Sequence, residues 1–209
     1  MTKSFSQYGE DIIINEYFGD RIGCLLDLGA NDGITFSNSK LLLDKGWSGV
    51  LIEASPVTFK KLKQNYQNYE KVFCIEQCLS DVKKRTKFFH NIYHNNPNAK
   101  DNSDLLSTID EESYQRTSGW GTFSSFEIEC DTLENALKLS PYTKFDFVSI
   151  DIEGMDLQIL HQMDLTKLGI ELMVVEHNNT IKKEILEYCS DYGFNKIIFQ
   201  NEVNIILHK

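Results

Sequence analysis

The sequence predicts an α/β domain whose mostly parallel sheet ends in an antiparallel hairpin. Three observations predict it. Short apolar runs alternate with segments of helical period along most of the 209 residues, the signature of consecutive β-α-β units. The first apolar run closes on a glycine turn, Asp27-Leu28-Gly29-Ala30-Asn31-Asp32-Gly33. The last two runs are separated only by Gln200, Asn201 and Glu202, a hairpin spacing.

The elements follow in order. Cys24–Leu28 is a short apolar strand closed by Gly29. A helix over Ser37–Lys45 starts on the capping residue Ser37 and stops at Gly46. Gly49–Ile52 is the second strand and ends at Glu53. Pro56 sits where a first helical turn tolerates it, and the helix runs to about Tyr66 with Phe59, Leu62 and Tyr66 on one face. Val72–Ile75 is the third strand. Lys84–Ser125 is polar and rich in Asn and Ser, and reads as a substrate-side insertion with short strands and loops of its own. Phe126–Cys130 is a further strand, Thr132–Leu139 a short helix, and Phe145–Ile150 a strand ending at Asp151. Met155–Met163 is helical, Leu172–Val175 is a strand ending at Glu176, and Ile181–Tyr192 is a helix closed by Gly193. Lys196–Phe199 and Val203–Leu207 form the hairpin. No repeat or low-complexity linker divides residues 1–209, which read as one domain.

Composition narrows the function. Twenty-one basic residues against 31 acidic give a net charge of −10. Phosphate backbones are bound by clustered Lys and Arg. The richest basic run, Lys83-Lys84-Arg85 with Lys87, reads as a solvated loop, so nucleic acid is not an expected partner. No apolar stretch of about 18 residues exists, so no membrane span is expected. The N-terminal residues lack the apolar core of a signal peptide. Five cysteines without a CxxC pair read as reduced thiols of a cytoplasmic protein. Oligomeric state is left open, a homo-oligomer included.

A strand, a glycine turn, a helix and a second strand ending in an acid form a nucleotide-binding pattern. Gly29 lets the chain turn sharply, and Gly33 lets the backbone approach a ligand. Glu53 follows at about the 20-residue spacing from which an acid reaches ribose hydroxyls. A dinucleotide site wants a glycine where Asn31 stands, so that pyrophosphate can rest on the helix N-terminus. Asp27 and Asp32 add negative charge. The turn therefore suits a ligand with a cationic amino group and a sulfonium, S-adenosylmethionine, better than a nicotinamide dinucleotide. A purely structural glycine turn is the bland alternative.

Ser6-Gln7-Tyr8-Gly9-Glu10-Asp11, Asp27–Gly33, Ser37-Asn38, Gly46–Glu53 and Ser149-Ile150-Asp151-Ile152-Glu153-Gly154 together resemble the FkbM family of S-adenosylmethionine-dependent methyltransferases. The resemblance spans roughly Ser6 to Glu176. It implies a Rossmann-like class I methyltransferase fold with a seven-stranded sheet, and O-methylation of sugars, glycans or polyketides. Asp156 stands where the family more often has Glu, and Lys84–Ser125 matches poorly. By position, the resemblance implies that Asp27, Gly29 and Asn31 line the methionine end of the cofactor. It places Glu53 on the ribose, Asp81 on the adenine amino group, and Gln7 and Tyr8 over the cofactor. Ala30, Gly33, Asn38 and Asp151 complete the expected cofactor set.

Ligands of an open parallel sheet lie outside the carboxyl ends of its strands. Asp151 ends one strand and Glu176-His177-Asn178 the next, so these groups can converge on a small-molecule or glycan acceptor. Methyl transfer to oxygen needs a positioned hydroxyl and a proton acceptor. His177 is the expected base, its ordinary pKa being about 6.5, with Asp151 and Glu176 beside it. The alternative chemistry is Mg²⁺ held by Asp151, Glu176 and Asn178. Glu153 and Asp156 add charge that either favours a cation or complements a helix N-terminus. His90, Tyr93, His94 and Trp120 in the insertion offer aromatic faces to a sugar ring. His161 and His208 read as structural. The rival functions are O-methylation of a polyketide or lipid-linked acceptor, and a non-catalytic cofactor-binding or scaffold protein on the same fold.

Overall fold

The structure, a computed structural model, describes residues 3–95 and 104–209. The elements in chain order are α1 (Glu10–Phe18), β1 (Cys24–Leu28), α2 (Lys40–Asp44), β2 (Ser48–Glu53), α3 (Pro56–Asn65), β3 (Val72–Glu76), β4 (Cys78–Leu79), β5 (Lys84–His94), α4 (Glu111–Thr117), β6 (Gly121–Asp131), α5 (Leu133–Leu137), β7 (Phe147–Ile150), α6 (Asp156–Leu160), α7 (Leu165–Leu168), β8 (Leu172–Glu176), α8 (Lys182–Asp191), β9 (Lys196–Gln200) and β10 (Asn204–His208). A seven-stranded sheet has the order β3-β2-β1-β7-β8-β10-β9. Its first five members are parallel, β10 is antiparallel to both neighbours, and β9 and β10 form the expected hairpin.

Both sheet faces are covered, which is why the central strands are apolar at most positions rather than at alternate ones. Side chains alternate across a strand. Leu26, Val148, Ile150, Met173 and Val175 therefore pack on one side with Ile159, Leu160 and Ile185. Leu25, Phe147, Leu172 and Val174 pack on the other with Ile14, Phe18, Leu42 and Leu62. The chain order reverses at β1, whose neighbours are β2 and β7. Such a switch point opens a crevice beyond the carboxyl ends of the two diverging strands, and here those ends carry Gly29 and Asp151.

Several expectations are corrected. The N-terminal segment contains an unforeseen helix, α1, which buries Ile14 and Phe18. Helix α2 begins later than Ser37. The Ser37 hydroxyl instead accepts from the backbone of Ser39 and Lys40 in the preceding turn. The expected helix over Met155–Met163 ends at Leu160, and α7 follows it, with the Asp164 carboxylate accepting from the Lys167 amide at its start. The largest departure is in the insertion. Residues 96–103 of it lie outside the described residues. The rest is no set of short strands: β5 and β6 are each 11 residues long and pair antiparallel, and with β4 they make a separate three-stranded sheet. Phe126–Cys130 belongs to this ribbon and not to the main sheet.

Candidate active site

The glycine turn after β1 is built by backbone constraints. Gly29 has φ +83°, and a methyl group on it would overlap the Asp151 carbonyl at the end of β7. Gly29 and Ala30 both donate to the Ile52 carbonyl at 3.0 Å, which ties the turn to β2. Asn31 also has positive φ, which Asn tolerates better than most residues. Its amide donates to Glu53 Oε2 at 3.0 Å, and the Ser55 amide donates to Oε1 at 2.7 Å. Asp32 is occupied locally, accepting from Ile34 and Thr35. Gly33 does not face a ligand. A methyl group there would overlap the Tyr66 ring, whose hydroxyl donates to the Gly33 carbonyl at 2.6 Å. The close approach this glycine permits is one of core packing.

Two cavities adjoin at the strand ends. The smaller, of about 80 Å³, is lined by Gly29, Asn31 and Glu53 below, by Gln77, Cys78 and Leu79 beyond β3, and by Asp104, Leu105 and Thr108 from the insertion. The larger, of about 600 Å³, is lined by Gln7, Tyr8, Phe36 and Asn38 on one side and by His94, Arg116 and Trp120 from the insertion. Glu176, Asn178 and Asn204 complete it. Asp151, Glu153 and Leu105 belong to both.

The N-terminal segment reaches the larger cavity because two buried acids hold it. Asp11 accepts from Ser4 Oγ, the Phe5 amide and Ser6 Oγ at 2.7–2.8 Å. Glu10 accepts from the Tyr8 amide and from Asn204 Nδ2, both at 2.8 Å. Tyr8 is thereby presented at the rim, 51 % exposed. Trp120, 54 % exposed, comes from the opposite wall.

The floor is acidic. Asp151, Glu153 and Glu176 each place a carboxylate oxygen within 4.8 Å of the other two. Asp151 is open to the cavity yet ringed by protein and by Asp156, Asp27, Glu10 and Glu53. That enclosure, then the neighbouring charges, pushes its carboxyl up to about 7. Glu153 and Glu176 lie well above the usual carboxylate range for the same two reasons. Glu176 is only 8 % exposed, and its Oε2 has no hydrogen-bond partner. Desolvation raises Glu53 to about 7 and Asp27 to about 6, against the bonds each accepts.

The structure thus brings together Gln7, Tyr8, Gly29, Asn31, Asn38, Glu53, Asp151, Glu176 and Asn178 around the two cavities. Five expected residues line neither. His177 is 1 % exposed, and its Nδ1 accepts from the Asn179 amide at 2.9 Å. Glu176, the last residue of β8, and Asn178, in the left-handed turn beyond it, take the cavity wall. Asp81 points to solvent and pairs with Lys84 at 2.9 Å. Asp27 and Ala30 are buried behind the wall, and Gly33 lies under Tyr66. To the expected metal ligands Asp151 and Glu176 the structure adds Glu153, whose positive φ (52°) turns the chain after β7. In the insertion, His94 and Trp120 reach the larger cavity, whereas His90 is buried, its Nε2 3.7 Å from Asp104.

Sequence reasoning missed Gln77, Cys78 and Asp104. The signal for the first two was present: they directly follow the carboxyl end of β3, where ligands of such sheets lie. Asp104 carried no local signal.

The family model described as the methyltransferase FkbM domain matches residues 27–196. No curated protein matches the sequence. Three solved structures share the fold. The ribosomal protein L11 methylase of Lactobacillus delbrueckii subsp. bulgaricus has a TM-score of 0.50 at 9 % identity, over 96 % of this chain and 77 % of that one. The precorrin-6y C5,15-methyltransferase of Geobacter metallireducens GS-15 scores 0.51 at 13 % identity, over 100 % and 92 %. The METTL16 methyltransferase domain scores 0.51 at 12 % identity, over 95 % and 65 %, so the chain spans less than two thirds of that domain's length. At these identities the likeness establishes a class I methyltransferase architecture.

Proposed function

The chain belongs to the FkbM family of methyltransferases, and from that premise we propose that it transfers a methyl group from S-adenosylmethionine to a hydroxyl oxygen of a sugar, glycan or related small molecule. The observation that carries this reading is the carboxyl-rich lining of the cavities. Glu53, Asp104, Asp151, Glu153 and Glu176 line them against a single guanidinium, Arg116. Burial holds several of these carboxyls above the usual range, so a cationic donor favours their ionisation, whereas a phosphate-bearing one finds only Arg116 among the lining residues. S-adenosylmethionine fits this donor set, and when bound it supplies a methyl carbon made electrophilic by a cationic sulfur.

In this reading Glu53, already oriented by two backbone amides, takes the ribose hydroxyls. Asn31 and Gly29 shape the wall beside it, and Gln77–Leu79 take the place expected of Asp81 at the adenine end. Gln7, Tyr8 and Asn38 bound the methionine end. Asp151 and Glu176 would hold the acceptor hydroxyl and receive the proton it gives up on methylation. Asp151, its carboxyl raised to about 7, is matched to that task, and such assistance contributes roughly 10²–10⁴-fold. Holding the oxygen in line lowers the barrier by roughly 7–11 kcal/mol more. The base role passes from His177 to these carboxylates because they face the cavity. The exposed rings of Tyr8, Phe36 and Trp120 above a polar floor suit a ligand with one apolar face and many hydroxyls, which favours a sugar.

Calorimetry with S-adenosylhomocysteine and NAD tests the donor, and a screen of sugar, polyketide, lipid-linked and nucleic-acid acceptors with methyl-labelled donor tests the acceptor. The expected result is binding of the first ligand alone and label on a sugar oxygen. Label on another acceptor class corrects the substrate, and tight binding with no turnover on any acceptor supports the scaffold reading. Glu53→Ala should weaken S-adenosylhomocysteine at least tenfold, since a hydrogen bond to a charged group contributes roughly 1.5–3 kcal/mol. A change within about twofold removes Glu53 from the ribose.

A further inference from the structure

We propose that Asp151, Glu153 and Glu176 hold an oxygen-preferring divalent cation at the floor of the larger cavity. The geometry comes first. Two ligand oxygens on one ion lie at most about 4.2 Å apart around Mg²⁺ and about 4.6–5.2 Å around Ca²⁺, twice the metal–oxygen distance. The three carboxylates already offer oxygens within 4.8 Å of one another, so an ion closes the set with little side-chain movement. The second observation is independent of the clustering. Glu176 Oε2 is buried and without a hydrogen-bond partner. Buried carboxylate oxygens are nearly always satisfied, and an orphan calls for an unplaced partner.

The protein's own groups do not supply that partner. Asp156, the fourth acid nearby, is tied to the Ile152 and Gly154 amides at 2.9 and 3.1 Å. Glu10 is committed to Tyr8 and Asn204. Arg116 acts on Glu153 only through space: among the described residues, no ion pair within 4.0 Å joins it to the three carboxylates. The Asn178 side chain is the one hydrogen-bonding influence on Glu176. Three carboxyls packed this closely repel one another, and a dication between them relieves that repulsion. An all-oxygen ligand set selects Mg²⁺, Mn²⁺ or Ca²⁺ over softer metals. The ion's remaining positions can take hydroxyl oxygens of the acceptor; with the ion in place the three carboxylates are its ligands, and the hydroxyl is acidified by the ion instead of being deprotonated by a free carboxylate. What the ion does rests on the methyl-transfer reading, but whether it binds does not.

Titration with Mn²⁺ alone, followed by calorimetry and by electron paramagnetic resonance, tests this on the full chain. One ion per chain is expected, with affinity at least tenfold weaker in Glu153→Gln and in Glu176→Gln. Mn²⁺ should also raise the Tm of the unsubstituted protein, because a ligand that binds only the folded state stabilises it. That readout serves if either variant fails to fold. No saturable binding of Mn²⁺, Mg²⁺ or Ca²⁺ up to about 10 mM, beyond the weakest sites of this kind, overturns the inference. So does Mn²⁺ binding that both folded variants retain. A parallel titration of S-adenosylhomocysteine in EDTA separates the two failures. If it binds and the metals do not, only the cation site falls. If metals bind and it does not, only the donor assignment falls.

Discussion

Gly33 illustrates how a residue can be conspicuous for the wrong reason. In the sequence its spacing from Gly29 suggests approach to a ligand, yet its hydrogen atom faces the Tyr66 ring. The sequence does not disclose this, because Leu62 and Tyr66 meet the turn only after α3 has packed. Gly33→Ala meets both the ring and a positive φ of 75°. It should lower stability by about 2–4 kcal/mol, read as a fall in the denaturation midpoint, whereas Tyr66→Phe, losing one hydrogen bond, should cost about 1 kcal/mol. Asp27 makes a different statement. Burial raises its pKa from 3.8 to about 6, so the native state holds this proton more tightly than the unfolded one. Stability from this source is fully present below pH 3.8 and falls as pH rises toward 6 and beyond. Asp27→Asn has no such proton to lose. Its stability relative to the unsubstituted protein should therefore climb between about pH 4 and 6.5, by on the order of 2–3 kcal/mol. Denaturant titrations in EDTA at several pH values check this, and a pH-independent gap refutes it.

At the scale of elements, legibility followed hydrophobic contrast. The strands β1, β2, β7 and β8 and the β9–β10 hairpin could be read directly, because each is a short apolar run between turn residues. The ribbon of β5 and β6 was read only in part, as the strand Phe126–Cys130 and short strands within Lys84–Ser125. It brings Arg85 opposite Glu129 and Lys87 opposite Glu127, so opposite charges replace the alternating apolar pattern by which a strand is recognised. Helix α1 was hidden because its first turn carries two acids that are buried as anchors rather than solvated. That anchoring has a measurable result. Asp11→Ala removes the acceptor for Ser4, Phe5 and Ser6 and should free the segment ahead of the helix. Amide hydrogen exchange at Phe5, Gln7 and Tyr8 should rise at least tenfold, with β1 and β7 unchanged. Equal protection in the variant means that other contacts hold the segment. The candidate site was legible to the same extent as the strands. Glu53, Asp151 and Glu176 stand at strand ends and were found. His177 stands just past the end of β8, where the chain turns and the Asn179 amide holds its ring inward, and Asp104 reaches the site through a tertiary contact that leaves no local trace.

The whole molecule joins a sheet covered on both faces to a ribbon that overhangs one end of it. The doubly covered sheet keeps β1 and β7 in fixed register, and the overhanging segment supplies one wall of each cavity. Among the described residues no helix is long and apolar enough to cross a membrane. The two chambers share Asp151, Glu153 and Leu105 in their linings, so a donor with its ribose at Glu53 and its methionine end at Gln7, Tyr8 and Asn38 passes these residues on its way from one into the other. Two guests that touch the same wall residues cannot be thermodynamic strangers. Whatever factor the acceptor returned by the screen applies to the dissociation constant of S-adenosylhomocysteine, that product must apply the same factor in return. Paired titrations should give equal factors different from one, and Leu105→Ala, which removes one shared contact, should move both together.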